Sequence, residues 1–166
     1  MTMLKEIHKL SAREEAVLQT FADSKGEFFV ANAFVDLSRN NVSGTSVSIH
    51  TRDDGVIRLF SDWYTSSVGN QYAMLAIDDH ESKDAQLASV EVCHAWLSKA
   101  DILSVEFARD DVIVDAGIEF TSHTGERSFV VVDDPRDHSD HRLLVTNSEP
   151  YWLLSGLPIH RRPLKS

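Results

Sequence analysis

Residues 133–141 hold four carboxylates and two histidines, the densest group of chemically capable side chains in the sequence. Aspartate and neutral imidazole are ligands for zinc and other divalent ions. His138 and His141 stand three apart, a spacing that brings them together only on a helical turn. Pro135 and the surrounding acids favour a loop instead. No further His or Cys follows at a recognised metal spacing. The two histidines are the metal candidates the sequence offers, and the expectation is a solvated loop with no bound metal and no cofactor.

A second group of carboxylates is placed by strand alternation. Leu103, Val105 and Phe107 alternate with polar residues, as do Val114, Ala116, Ile118 and Phe120, and then Phe129 and Val131. This predicts a three-stranded antiparallel meander over 103–133. Two-residue turns at Asp110-Asp111 and Thr124-Gly125 set Phe107 opposite Val114 and Phe120 opposite Phe129, with the apolar residues on one face. The other face then carries Glu106, Asp115 and Glu119 beside Ile113, Val130 and Val132, with Glu106 directly across from Asp115. Like charges across a strand pair repel. Such a face suits a basic partner protein: Val130 and Val132 supply contact area, and Glu106, Asp115 and Glu119 supply steering. The ordinary alternative is a solvated face whose acids are offset by Arg109, Arg127 or Arg136. General acid–base work by paired carboxylates calls for a pocket, which a flat strand face does not offer, so no catalytic residue is assigned.

Other chemistry is sparse. Cys93 and His94 are adjacent, and neighbours on a helix point about 100° apart, so they do not form a nucleophile pair. The small polar loops at 43–46 and 65–69 lack the following lysine of a phosphate loop, and G-x-S-x-G, G-x-G-x-x-G and H-E-x-x-H are absent. Aromatics gather at Trp63-Tyr64 and Tyr151-Trp152. An enzyme or ligand-binding reading would place its pocket between loop 62–71, loop 133–141 and the aromatics at 151–152.

The elements that must position these groups follow from spacing. Ser11-Ala12-Arg13-Glu14 has the form of a capping box, and Val17, Leu18 and Phe21 recur behind it, predicting a helix over 11–24. Residues 27–37 are apolar on both parities and read as a strand buried on both faces or a short buried helix. Residues 45–61 read as a hairpin: a three-residue loop at Asp53-Asp54-Gly55 places Ile49 opposite Leu59 and Thr51 opposite Ile57. Residues 62–71 read as a polar loop and 72–77 as a short buried strand. Ala85, Ala88, Val92, Cys93 and Trp96 share one side of a second helix over 80–98. A last short strand over 142–146 precedes an irregular tail from about 147. The expected fold is α+β: one domain over 1–166, its mainly antiparallel sheet built from hairpins and a meander, with two helices packed on one face.

Composition narrows the function classes. A chain of 166 residues with 42% hydrophobic content supports a core. The polar N-terminus has no apolar signal region, and no stretch reaches membrane-spanning length. A single cysteine forbids an intrachain disulfide and fits a cytoplasmic location. The net charge of −10 is uneven: residues 101–149 carry 12 acids against 4 bases, and residues 150–166 carry three bases and no acid. Nucleic acid needs clustered Lys and Arg and is excluded as a partner. The expectation is a small acidic module that sequesters or neutralises a basic partner protein, as an immunity protein or a secretion chaperone does, and not a catalyst.

Overall fold

The computed structural model describes residues 6–21, 26–31, 34–36, 41–51, 56–78, 88–89, 97–108, 110–122, 124–136, 142–150, 152 and 156–164. In chain order its elements are β1 (Glu6–His8), α1 (Ala12–Phe21), β2 (Gly26–Ala31), β3 (Phe34–Asp36), β4 (Asn41–Gly44), β5 (Ser46–Thr51), β6 (Val56–Thr65) and β7 (Gln71–Asp78). They continue with β8 (Ala88–Ser89), β9 (Leu97–Phe107), β10 (Val112–Ser122), β11 (Arg127–Val132), β12 (Leu143–Thr146) and β13 (Ile159–Pro163).

Two sheets result. The first runs β13-β9-β10-β11-β12-β4-β3, with β1 added in parallel beside β10; the second runs β7-β6-β5-β2-β8. All other pairings are antiparallel. The chain passes between the sheets more than once; between β4 and β5 it does so at the single residue Thr45. β7 packs against β10 and β11, and Tyr72 stacks on Phe107 with ring centroids 4.4 Å apart. The outer edge of β7 is covered: Ala73 N donates to Pro135 O at 3.0 Å and Ile77 N to Glu14 Oε2 at 2.9 Å. Covering an edge in this way removes a template for unwanted strand pairing.

One helix stands among the described residues. Its predicted start holds: Ser11 N donates to Glu14 Oε1 at 3.0 Å and Glu14 N to Ser11 Oγ at 3.1 Å, the reciprocal capping box. The expectation of two helices packed on a sheet face is wrong. Within 80–98, Ala88–Ser89 pairs with β2 and Leu97 opens β9; the other residues of that span lie outside the described residues. A helical spacing of apolar residues does not by itself exclude extended chain when strand partners are at hand. Among the described residues, no helix is long and apolar enough to cross a membrane.

Registers also differ from expectation. Ile49 pairs with Ile57 and Val47 with Leu59, so the first hairpin closes two residues earlier and keeps its face. The polar segment 62–71 is not a loop throughout: β6 runs on to Thr65, and the turn occupies 66–70. In the meander, Phe107 pairs with Val112 and Phe120 with Ser128. Asp111 takes φ +52 in the first turn and Gly125 φ +86 in the second, left-handed positions that longer turns use. The register shifts again between Asp115 and Gly117, a bulge that puts one extra residue on β10. Gly117 sits there because a Cβ would lie 2.8 Å from Val131 Cβ and 2.9 Å from its Cα. The tail read as irregular adds the edge strand β13 beside β9.

Candidate functional site

Of the five residues expected to form a partner-binding face, four are buried. Asp115 is 0% and Glu119 5% exposed, and Val130 and Val132 are fully buried; only Glu106 is half-buried. β10 and β11 are buried along nearly their whole length, as central strands covered on both faces are. The predicted pairing of Glu106 with Asp115 also fails: Glu106 pairs with Ile113, and Asp115 with Ser104. The bulge then changes parity, so Asp115 and Glu119 point to opposite faces of β10.

The counter-charges come from the chain's own basic end. On β13, His160, Arg161 and Arg162 are consecutive and therefore alternate between faces. His160 Nε2 lies 3.0 Å from Glu106 Oε2. Arg161 pairs with Glu119 on the opposite face, where Arg127 also reaches Glu119 and, at 3.2 Å, Glu149. Arg162 donates to Asp115 through Nη1 at 3.3 Å and Nη2 at 2.9 Å, and to Glu15 on α1 at 2.6 Å. Leu10 N and Ser104 Oγ complete the Asp115 shell at 2.7 and 2.6 Å. Asp115 hydrogen bonds hold the Arg162 proton more firmly than usual. A buried carboxylate with this many donors ties three distant parts of the chain together: the segment before α1, the central strand and the C-terminal strand.

A second acidic region lies where β1 meets the β6–β7 and β9–β10 turns. Glu6 Oε2 accepts from Ser67 N at 3.2 Å and Ser67 Oγ at 3.3 Å. The Ser67 amide holds the Glu6 carboxyl below its usual range. Asp110 accepts from Asn70 Nδ2 at 2.7 Å and from the Tyr72 hydroxyl. His8 stacks on Tyr64 at 3.3 Å, and Tyr64 pairs across the strands with Tyr72. Burial, then the neighbouring carboxylate, pushes Tyr64 and Tyr72 each up to about 12; the carboxylate is Glu6 for Tyr64 and Asp110 for Tyr72. Burial lowers the His8 pKa, against the pull of Glu6. The exposed large hydrophobics among the described residues are Ile7 at 50%, Trp63 at 57% and Val68 at 66%. Each is the chain neighbour of a residue in this contact: Ile7 of Glu6 and His8, Trp63 of Tyr64, Val68 of Ser67.

Of the groups of the alternative pocket, the described parts of loop 133–141 lie next to both other members: Pro135 O accepts from Ala73 N, and Val132 O accepts from the Trp152 indole. From loop 62–71 come Tyr64, Ser67 and Asn70 of the acidic end. Trp152 is fully buried, its Nε1 donating to Val132 O at 3.0 Å, while Tyr151 lies outside the described residues. Asp134 folds onto Arg136, accepting from its N at 2.9 Å. His138 and His141 lie outside the described residues. Among the described residues, no group of three or more His, Cys, Asp or Glu could hold a metal ion.

Strand alternation alone missed both regions. Gly117 inside an apolar strand was the available sign of a bulge. The run Arg161-Arg162 beyond an acidic stretch was the sign of internal neutralisation. The gathering of β1 against the β6–β7 turn left no local sign, since Glu6 and Ser67 are 61 residues apart. Compared with known proteins, the chain matches no family model, no curated protein and no solved structure.

Proposed function

We propose that this chain is a protein-binding module for a basic partner, and that it meets the partner at the end where β1 joins the β6–β7 turn. The observation that carries this reading is the holding of Glu6 by the neutral donors of Ser67. Such bonds fix a carboxylate in place and leave its charge standing, whereas an arginine cancels it. Ile7, Trp63 and Val68, chain neighbours of Glu6, Tyr64 and Ser67, are exposed and offer apolar area at this end for a basic polypeptide. The net charge of −10 adds long-range attraction for such a partner. The lone Cys93 fits a reducing cytoplasm as the place of action. The role is stoichiometric sequestration, with no catalytic step.

The test is site-specific photo-cross-linking in the native cell. Val68 is replaced by p-benzoylphenylalanine in one chain and Glu126, exposed in the β10–β11 turn, in a control. The expected result is a basic polypeptide trapped at position 68 and not at 126. Its yield should fall several-fold with Glu6→Lys or with a rise in salt from about 0.05 to about 0.5 M. Equal trapping at both positions, no trapping at 68, or a yield indifferent to charge and salt contradicts the reading.

A further inference from the structure

We propose that β13 is an exchangeable strand, and that the β9 edge of one copy of this chain accepts the β13 of a second copy. Among the described residues β13 is the outermost strand of its sheet and pairs only with β9, from Ile159↔Val105 to Pro163↔Asp101. Glu106 N to Pro158 O and Leu164 N to Ala100 O extend the ladder at both ends, at 3.0 and 2.9 Å. No residue of 156–164 is buried; Leu157, Ile159 and Leu164 are partly buried against the core. What holds the strand is therefore a backbone ladder, the partial burial of Leu157, Ile159 and Leu164, and the pairs from His160, Arg161 and Arg162 to Glu106, Glu119, Asp115 and Glu15. An identical strand from another copy reproduces every one of these contacts.

The attachment permits the exchange. Trp152, fully buried and hydrogen-bonded to Val132 O, pins the chain to the body, and the buried Pro150 precedes it. Six residues, 153–158, separate that pin from β13. They can span about 20 Å when extended. Charge selects the occupant. Residues 150–166 carry three cations and no acid, while the preceding 149 residues carry 13 bases and 26 acids. The basic end of any copy is thus attracted to the body of any other. The tether favours the chain's own strand by an effective concentration of order mM, so exchange rises with protein concentration.

The experiment uses disulfide trapping in the full chain, with Cys93→Ser removing the native thiol. Glu106 and Pro158 share a ladder bond, so the next pair, Val105 and Ile159, lacks mutual bonds and brings its Cβ atoms close. A chain with both Val105→Cys and Ile159→Cys should close a disulfide within itself. A Val105→Cys chain and a size-tagged Ile159→Cys chain are then unfolded, mixed and refolded together at about 0.1 and about 1 mM. The expected result is a disulfide-linked heterodimer whose fraction rises severalfold between the two concentrations. It should exceed the background from a Val68→Cys chain used in place of the Ile159→Cys one. Cross-chain product at background level, beside efficient closure in the doubly substituted chain, overturns the exchange. Failure of closure in that chain as well removes the β13–β9 pairing on which the exchange depends.

Discussion

Two acidic regions of this molecule are treated in opposite ways. Along β9 and β10 the carboxylates are drawn inward and cancelled by arginines: Asp115 by Arg162, and Glu119 by Arg127 and Arg161. At the β1 end, Glu6 is held by a serine amide and hydroxyl and keeps its charge at the surface. The first region contains more of the sequence's acid and presents less of it. Charge counted along a chain measures what the fold must neutralise as much as what it displays. A cationic strand pairing with an acidic one converts a surface potential into cohesion between distant segments.

The comparison can be broken most sharply by removing one carboxylate from each region. Asp115→Ala leaves the Ser104 hydroxyl and the Leu10 amide without their acceptor and Arg162 with Glu15 alone, and is expected to cost about 3–5 kcal/mol in urea unfolding. Glu6→Gln keeps a hydrogen-bond acceptor for Ser67 and should leave the midpoint nearly unmoved. Equal losses would erase the distinction. Gly117→Ala tests the bulge that separates Asp115 from Glu119. The added methyl meets Val131 backbone and side chain, and the expected cost is about 1–3 kcal/mol by thermal melting. A neutral outcome would mean that β10 and β11 are not as closely apposed as this register requires.

Smaller effects sharpen the description of the β1 end. The pKa of His8 is lower folded than unfolded, so the unfolded chain takes up the proton first as pH falls. The contribution of His8 is therefore present above its unfolded value of about 6.5 and is lost as pH drops toward the folded one. Urea midpoints at pH 8 and pH 5.5 should show this loss in the native chain and less of it in His8→Gln. The smallest effect is spectroscopic. Tyr64 and Tyr72 should ionise near 12 in an ultraviolet titration. Since carboxylates contribute part of each shift, Glu6→Gln should lower the Tyr64 value and Asp110→Asn the Tyr72 value, each toward but not to 10. Unchanged titrations would place those carboxylates away from the rings.

Local signals in the sequence were read correctly where local contacts decide the outcome. The Ser11–Glu14 capping box closes within one turn, and its helix forms where the spacing placed it. The strands around Val47, Leu59, Val105, Val114 and Val131 follow from apolar alternation, and that around Leu75 from a continuous apolar run. Register did not follow, because it depends on turn length and on Gly117, each of which shifts a strand by one or two residues. The burial of Asp115 and Glu119 comes instead from the covering of β10 on both faces, which alternation within one strand does not reveal. The second helix failed for a different reason. Ala88–Ser89 finds its partner in Val30 and Phe29 of β2, nearly 60 residues earlier, and pattern within a window does not contain that information. The pairing of Arg162 with Asp115 and Glu15 spans the chain in the same way.

The central claim, that the basic C-terminal strand neutralises the acids of the central sheet, rests most directly on Arg162 and Asp115. A double-mutant cycle with Asp115→Asn, Arg162→Met and the pair combined measures their coupling free of other losses. Coupling of about 1.5 kcal/mol or more is expected, with the double variant less destabilised than the sum of the singles. Additivity within about 0.5 kcal/mol would show that the two side chains do not depend on each other and would contradict the account.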